Sequence, residues 1–160
     1  MYSIPFISLK MVAESHGEYK LDSVECPDDA AYFISTFLDG EDRENMVVLL
    51  LNTTGRVVGM HRVSVGTLNA SAVSAREVFK SAIMSNAASI IVGHNHPSDN
   101  VTPSREDDHV AAELRAAGKI LGIPMLDFII VGAGKSVTGE KRYYSYKEKQ
   151  RAGMNGGAGI

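Results

Sequence analysis

The chain has 160 residues, 44% of them hydrophobic and 22% charged, which suits one domain with a substantial core. A net charge of −3 provides no global electrostatic grip on phosphate backbones, and the single cysteine, Cys26, excludes an internal disulfide framework and any multi-cysteine zinc site. No apolar run approaches the length of a membrane span and the N-terminus lacks the pattern of a secretory signal, so cytoplasmic residence is the expectation.

Met1 to Ala13 carries Ile4, Phe6, Ile7, Leu9, Met11 and Val12 and reads as an edge strand, since Pro5 has no N–H for a central ladder. Glu14 to Glu25 reads as a polar turn or hairpin. Pro27-Asp28-Asp29 opens a helix with acids in its first turn and an apolar stripe of Ala30, Phe33, Ile34, Phe37 and Leu38, ended by Gly40. After a charged connector, Met46 to Leu51 is an unbroken apolar run suited to a strand covered on both faces. Asn52 to Gly55 turns it back into Arg56 to Val65, its hairpin partner. Ser74 and Glu77 form a capping box for a helix from Ala75 to about Asn86 that buries Val78, Phe79, Ala82 and Ile83.

Ser89 to Val92 is a short, β-branched buried strand, and the histidines that follow, His94 and His96, point to one side because extended side chains alternate with period two. Pro97 and Pro103 keep the next loop from being helical; Ser104 is a good N-cap, with Asp107 at the capping-box position, so a helix starts near Arg105. At 100° per residue, Asp107 shares its face with Val110, Ala111, Leu114, Gly118 and Leu121, while Arg105, Glu106, Asp108 and His109 point elsewhere. A carboxylate that prolongs an apolar stripe is costly unless it is hydrogen-bonded, paired or metal-bound. Closure of the capping box by Asp107 is the bland explanation. A cation shared with His94 and His96 is the sharper one, and two imidazoles with one carboxylate leave a position open, as in catalytic zinc sites. Beyond this helix, Gly118 and Gly122-Ile123-Pro124 mark its end, Asp127 to Val131 is a strand, Gly132 to Gly134 a turn and Ser136 to Thr138 a short strand. The stretch from Lys147 is charged and then Gly-rich and is expected to be disordered, so the domain spans 1–146 with a tail at 147–160. Alternating strands and helices argue for a three-layer α/β/α domain with a mixed sheet.

His94-Asn95-His96-Pro97-Ser98 followed by Thr102-Pro103-Ser104-Arg105-Glu106-Asp107 resembles the RadC family, the bacterial branch of the JAMM (MPN-plus, JAB) metalloprotease superfamily. Asp107 lies eleven residues after His96, the spacing that superfamily shows. The resemblance extends through Glu44-Asn45-Met46, Gly66-Thr67-Leu68, Ala75 to Phe79, Asn86-Ala87-Ala88 and Leu121 to Asp127, covering residues 28–145. It implies a cytidine-deaminase-like α/β/α fold, although the deaminase's Pro-Cys-x-x-Cys ligands are missing. It also implies one Zn²⁺ per chain held by His94, His96 and Asp107, with Glu44 as general base and Glu41 as a nearby competitor. Ser104 would stabilise the developing oxyanion, cap the helix, or do both. Asn95 and Ser98 would be loop or supporting residues, and His61 and His109 surface residues.

The resemblance thus implies a zinc-dependent peptidase or isopeptidase acting on a protein or peptide. Alternatives from other classes are a metal-dependent nuclease, suggested by the literal His-Asn-His string, and a non-catalytic binding module. The family's historical DNA-repair label has no support in the charge balance, and the helix-hairpin-helix region that longer members carry upstream is not seen here, which weakens the expectation of a direct DNA role. A homodimer through an exposed edge strand is left open.

Overall fold

The computed structural model of the protein describes residues 1–65, 73–132 and 142–155, the last five of these by backbone alone. The elements run α1 (Pro27–Phe37), β1 (Asn45–Leu51), β2 (Val57–Val65), α2 (Ala75–Met84), β3 (Ser89–His96), α3 (Arg105–Leu121), β4 (Met125–Gly132), β5 (Tyr143–Ser145) and α4 (Tyr146–Asn155). The strands form one mixed sheet in the order β2-β1-β3-β4-β5, with only β3 and β4 parallel.

Period-two alternation sorts the strand residues onto two apolar faces. Met46, Val48 and Leu50 of β1, Ile90 and Val92 of β3, and Phe128 and Ile130 of β4 pack with Val78, Phe79 and Ala82 of α2 and Val110, Ala111 and Leu114 of α3. The opposite set, Val47, Leu49, Leu51, Ile91, Ile129 and Val131, packs against Ala30, Ala31, Phe33, Ile34 and Leu38. The result is the expected α/β/α sandwich, and β1 is buried along its whole length, as its unbroken apolar run demanded. At Gly93 a Cβ would lie 2.4 Å from Ile34 Cδ1 and 3.0 Å from the Ile129 carbonyl oxygen. The bare glycine therefore lets α1 sit directly behind the strand that carries the two histidines.

Several boundaries differ from expectation. Met1 to Ala13 forms no strand, and its apolar side chains are exposed. Glu14 to Glu25 makes no hairpin of its own and meets the sheet by a single bridge, Ser23 to Arg56. Ile83 is exposed rather than buried, and α2 stops at Met84. Leu121 is also exposed, because the chain leaves the helix at Gly122 with φ 69°, a left-handed C-cap. The strand expected at Ser136 to Thr138 lies outside the described residues.

The chain from Lys147 is not disordered as far as Asn155. It continues as α4, and a buried acid explains why: Asp127 accepts Lys147 N–H at 3.0 Å and the Ser145 hydroxyl at 2.6 Å, while Ser145 Oγ accepts Glu148 N–H at 3.1 Å. Two first-turn donors of the helix are thereby satisfied. Burial pushes the Asp127 carboxyl up, against the lowering effect of these donors. Asp127→Ala is expected to leave the Lys147 N–H and the Ser145 hydroxyl without this partner and cost about 2 kcal/mol. Chemical denaturation would read the loss, and an unchanged midpoint would remove the acid from its capping role.

Candidate metal centre

Three elements meet at one end of the sheet. In β3, Ile90, Val92 and Phe128 of neighbouring β4 face α3; by the same alternation His94 and His96 face α3 and Asn95 the opposite layer. Ser104 caps α3 with a reciprocal box: its Oγ accepts Asp107 N–H at 3.1 Å, and Asp107 Oδ2 accepts Ser104 N–H at 2.7 Å. This fixes the first turn and aims Asp107 inward with Val110, Ala111, Leu114 and Gly118, the buried stripe of the helix.

His94, His96 and Asp107 converge, with one ligand-type atom from each lying within 4.8 Å of the others. The two Nε2 atoms are 2.9 Å apart. His94 Nε2 is 3.1 Å from Asp107 Oδ1 and His96 Nε2 is 3.5 Å from Oδ2. His94 is fully buried and Asp107 is only 4% exposed, so both partners sit where a lone charge would be costly. Phe128 lies beneath, its ring centroid 5.5 Å from that of His94.

The donor set fits a cation. His96 Nδ1 lies 2.6 Å from the Asn100 carbonyl; that oxygen can only accept, so the proton sits on Nδ1 and the lone pair on Nε2. Such an outer hydrogen bond is the usual way a metal-ligating histidine is oriented. A lone pair directed at a second imidazole nitrogen and a carboxylate is best satisfied by a shared positive charge. The fit is incomplete at His94, whose buried Nδ1 has no hydrogen-bond partner among the described residues.

The electrostatics agree with the geometry. Burial alone would raise the Asp107 carboxyl, but its bonds to His94 and His96 and to the Ser104 backbone hold it far below the usual carboxylate range. The bond to Asp107 raises His96 above its ordinary 6.5; burial opposes this, and the Asn100 carbonyl and the charges of Asp107 and Glu44 add to it. In the metal-free protein the raised His96 contributes stability that is fully present below 6.5 and lost as pH rises through its folded value, while the depressed Asp107 contributes stability present above 3.8 and lost as pH falls. A metal must displace the His96 proton, so zinc affinity is expected to run oppositely, weakening by up to about tenfold per pH unit below the raised His96 value. Competition titrations against a chelator would show this, and an affinity independent of pH across that window would contradict it.

Glu44 precedes β1 by one residue and is half-buried. The β1–β3 ladder ends where Met46 pairs with His94, two residues along the chain from Glu44. Its negative charge is felt at His96. Glu41, the competitor, is engaged elsewhere: Oε1 takes Arg62 at 2.8 Å and Oε2 lies 3.5 Å from Asn45 Nδ2. The Ser104 hydroxyl donates to Asp107 Oδ2 at 2.8 Å. It must turn away from that oxygen before it can serve an oxyanion. Ser98 and His109 are exposed. His61, expected at the surface, is half-buried on β2 opposite Val48, its buried Nδ1 without a partner among the described residues. Sequence reading missed the Asn100 carbonyl, which the Asn100 side chain sets up by accepting Thr102 N–H at 3.0 Å, and it missed the floor formed by Phe128.

A family model for the RadC-like JAB domain matches residues 24–151. The chain is 47% identical over 112 residues to a UPF0758 protein of Desulforamulus reducens, covering 70% of this chain and 49% of that protein. A UPF0758 protein of Rubrobacter xylanophilus is 50% identical over 107 residues, covering 67% and 44%, and one from Caldanaerobacter subterraneus is 42% identical over 126 residues, covering 78% and 54%. Fold and site together define an α/β JAB-type domain with a His-His-Asp group able to hold a metal ion. The chain belongs to the RadC-like JAB domain family. It spans about half the length of the curated relatives it matches. Among the described residues no helix is long and apolar enough to cross a membrane.

Proposed function

We propose that the domain is a zinc-dependent hydrolase of peptide or isopeptide bonds in a protein or peptide substrate. The observation that carries this reading is the inward Asp107, seated against two imidazole nitrogens 2.9 Å apart. Held by His94, His96 and Asp107, a zinc ion would supply Lewis acidity and bring the pKa of a coordinated water to about 7. Glu44, whose charge is felt at His96, accepts a proton from the attacking water and passes it to the departing amine nitrogen. A carbon–oxygen bond forms as the carbon–nitrogen bond breaks, with no net change in protons on the carboxylate. Ser104, turning its hydroxyl from Asp107, donates to the oxygen that gains charge. Asp107 has two tasks, since the carboxylate that closes the capping box also faces the imidazoles; the box fixes its direction before any metal arrives.

Zinc-loaded protein incubated with a peptide library and, in parallel, with single- and double-stranded DNA tests the proposal. Peptide cleavage abolished by a chelator is the expected result. Nicked DNA would move the domain to the nucleases, and zinc-loaded protein inert toward both would make it a binding module.

A further inference from the structure

We propose that Asn95, between the two histidines, is the positioning residue for Glu44: its side-chain amide clamps the backbone on both sides of that glutamate and holds it to the histidine strand. The inference rests on the reading of Glu44 as the base. Asn95 Oδ1 accepts Asn45 N–H at 2.7 Å, and Asn95 Nδ2 donates to the Arg43 carbonyl at 2.8 Å. Asn95 is 2% exposed and Asn45 fully buried, so both bonds are sheltered from competing water.

The arrangement follows from where the ladder stops. β1 and β3 pair from Leu51 opposite Ser89 to Met46 opposite His94. At the next step the Asn95 side chain faces away from the metal layer, toward the backbone leading into β1, and an amide carries the same donor and acceptor pair as a peptide group. It replaces the ladder bonds where the two main chains part. Its orientation is fixed by its partners, because a flipped amide would set N–H against N–H and oxygen against oxygen. The bonds bracket a single residue, and that residue is Glu44. Between α1 and this clamp Asp39, Asp42 and Arg43 are exposed; the Arg43 carbonyl also accepts Asn45 Nδ2 at 2.8 Å, and Glu41 pairs with Arg62.

The chemistry selects the residue type. Aspartate would keep the acceptor for Asn45 but set a charged oxygen against the Arg43 carbonyl. Glutamine would push the amide one methylene too far, and serine cannot reach both groups. Asn95 touches neither the reacting atoms nor a metal in this geometry; it acts through Glu44.

The test uses amide hydrogen exchange on the metal-free chain and the absorption spectrum of the Co²⁺-loaded chain, neither of which needs a substrate. In Asn95→Ala the Asn45 amide is expected to exchange at least about tenfold faster, with the Val47 to Leu51 amides unchanged. The variant still binds one Co²⁺, but its spectrum shifts toward that of Glu44→Gln, and adding Asn95→Ala to Glu44→Gln changes the spectrum no further. Asn95→Asp, which keeps the volume, is the second variant should alanine prevent folding; it should protect Asn45 and still shift the spectrum. Unchanged exchange at Asn45 in Asn95→Ala, a wild-type cobalt spectrum in either Asn95 variant, or independent effects in the double variant would overturn the proposal. A wild-type cobalt spectrum in Glu44→Gln together with fast exchange at Asn45 in Asn95→Ala would separate the cases: the clamp stands and Glu44 is not beside the metal.

Discussion

Glu44→Gln is expected to keep its zinc and lose about 10²- to 10⁴-fold in peptide turnover, the range that a positioned general base contributes. Glutamine preserves the shape and one acceptor of the glutamate but cannot take a proton from water. Glu44 lies outside the three groups that converge on one point, so metal content should be indifferent to the change. Glu41→Gln is the control: the Arg62 bond at 2.8 Å already occupies that carboxylate, and its loss should cost less than about 1 kcal/mol of stability, as expected for a part-exposed pair. Turnover retained in Glu44→Gln and lost in Glu41→Gln would exchange their roles.

The second large effect concerns the ligands. Removing an outer hydrogen-bond partner of a metal ligand typically weakens binding 10- to 100-fold, so removing a ligand itself should cost on the order of 10²-fold or more. His94→Ala and Asp107→Asn are therefore expected to purify without stoichiometric zinc and to show no rise in melting temperature when zinc is added, unlike the wild type. Asparagine at 107 keeps an acceptor for the Ser104 N–H while removing the charge, which separates ligation from helix capping. Ser104→Ala gives the converse separation: zinc is retained while the lost cap costs about 1 kcal/mol. If Asp107→Asn kept full zinc content, the carboxylate would be a capping residue only.

Much of this site was legible in the sequence because its parts obey local rules. Alternation along the strand aligned His94 with His96, and helical periodicity from the Ser104 cap turned Asp107 toward Val110 and Leu114; each needs only a few residues of context. The same reasoning recovered α1, β1 and α3 closely, since their apolar patterns have a clear period. It failed where partners distant in sequence decide. Met1 to Ala13 is apolar enough for a strand, but its side chains stay exposed and it pairs with no strand. The charged stretch after Lys147 looked disordered because nothing near it reveals that Asp127, far earlier in the chain, caps the helix. The bonds of Asn95 to Arg43 and Asn45 span 52 and 50 residues, and no local pattern shows that the amide of a His-Asn-His string replaces a peptide group across two strands.

The most direct test is to locate zinc by anomalous scattering in crystals grown with the metal. One zinc per chain within about 2.0–2.2 Å of His94 Nε2, His96 Nε2 and an Asp107 oxygen is the expected result. Crystals grown in zinc with no anomalous peak among these three side chains, or with the ion held by other residues, would contradict it.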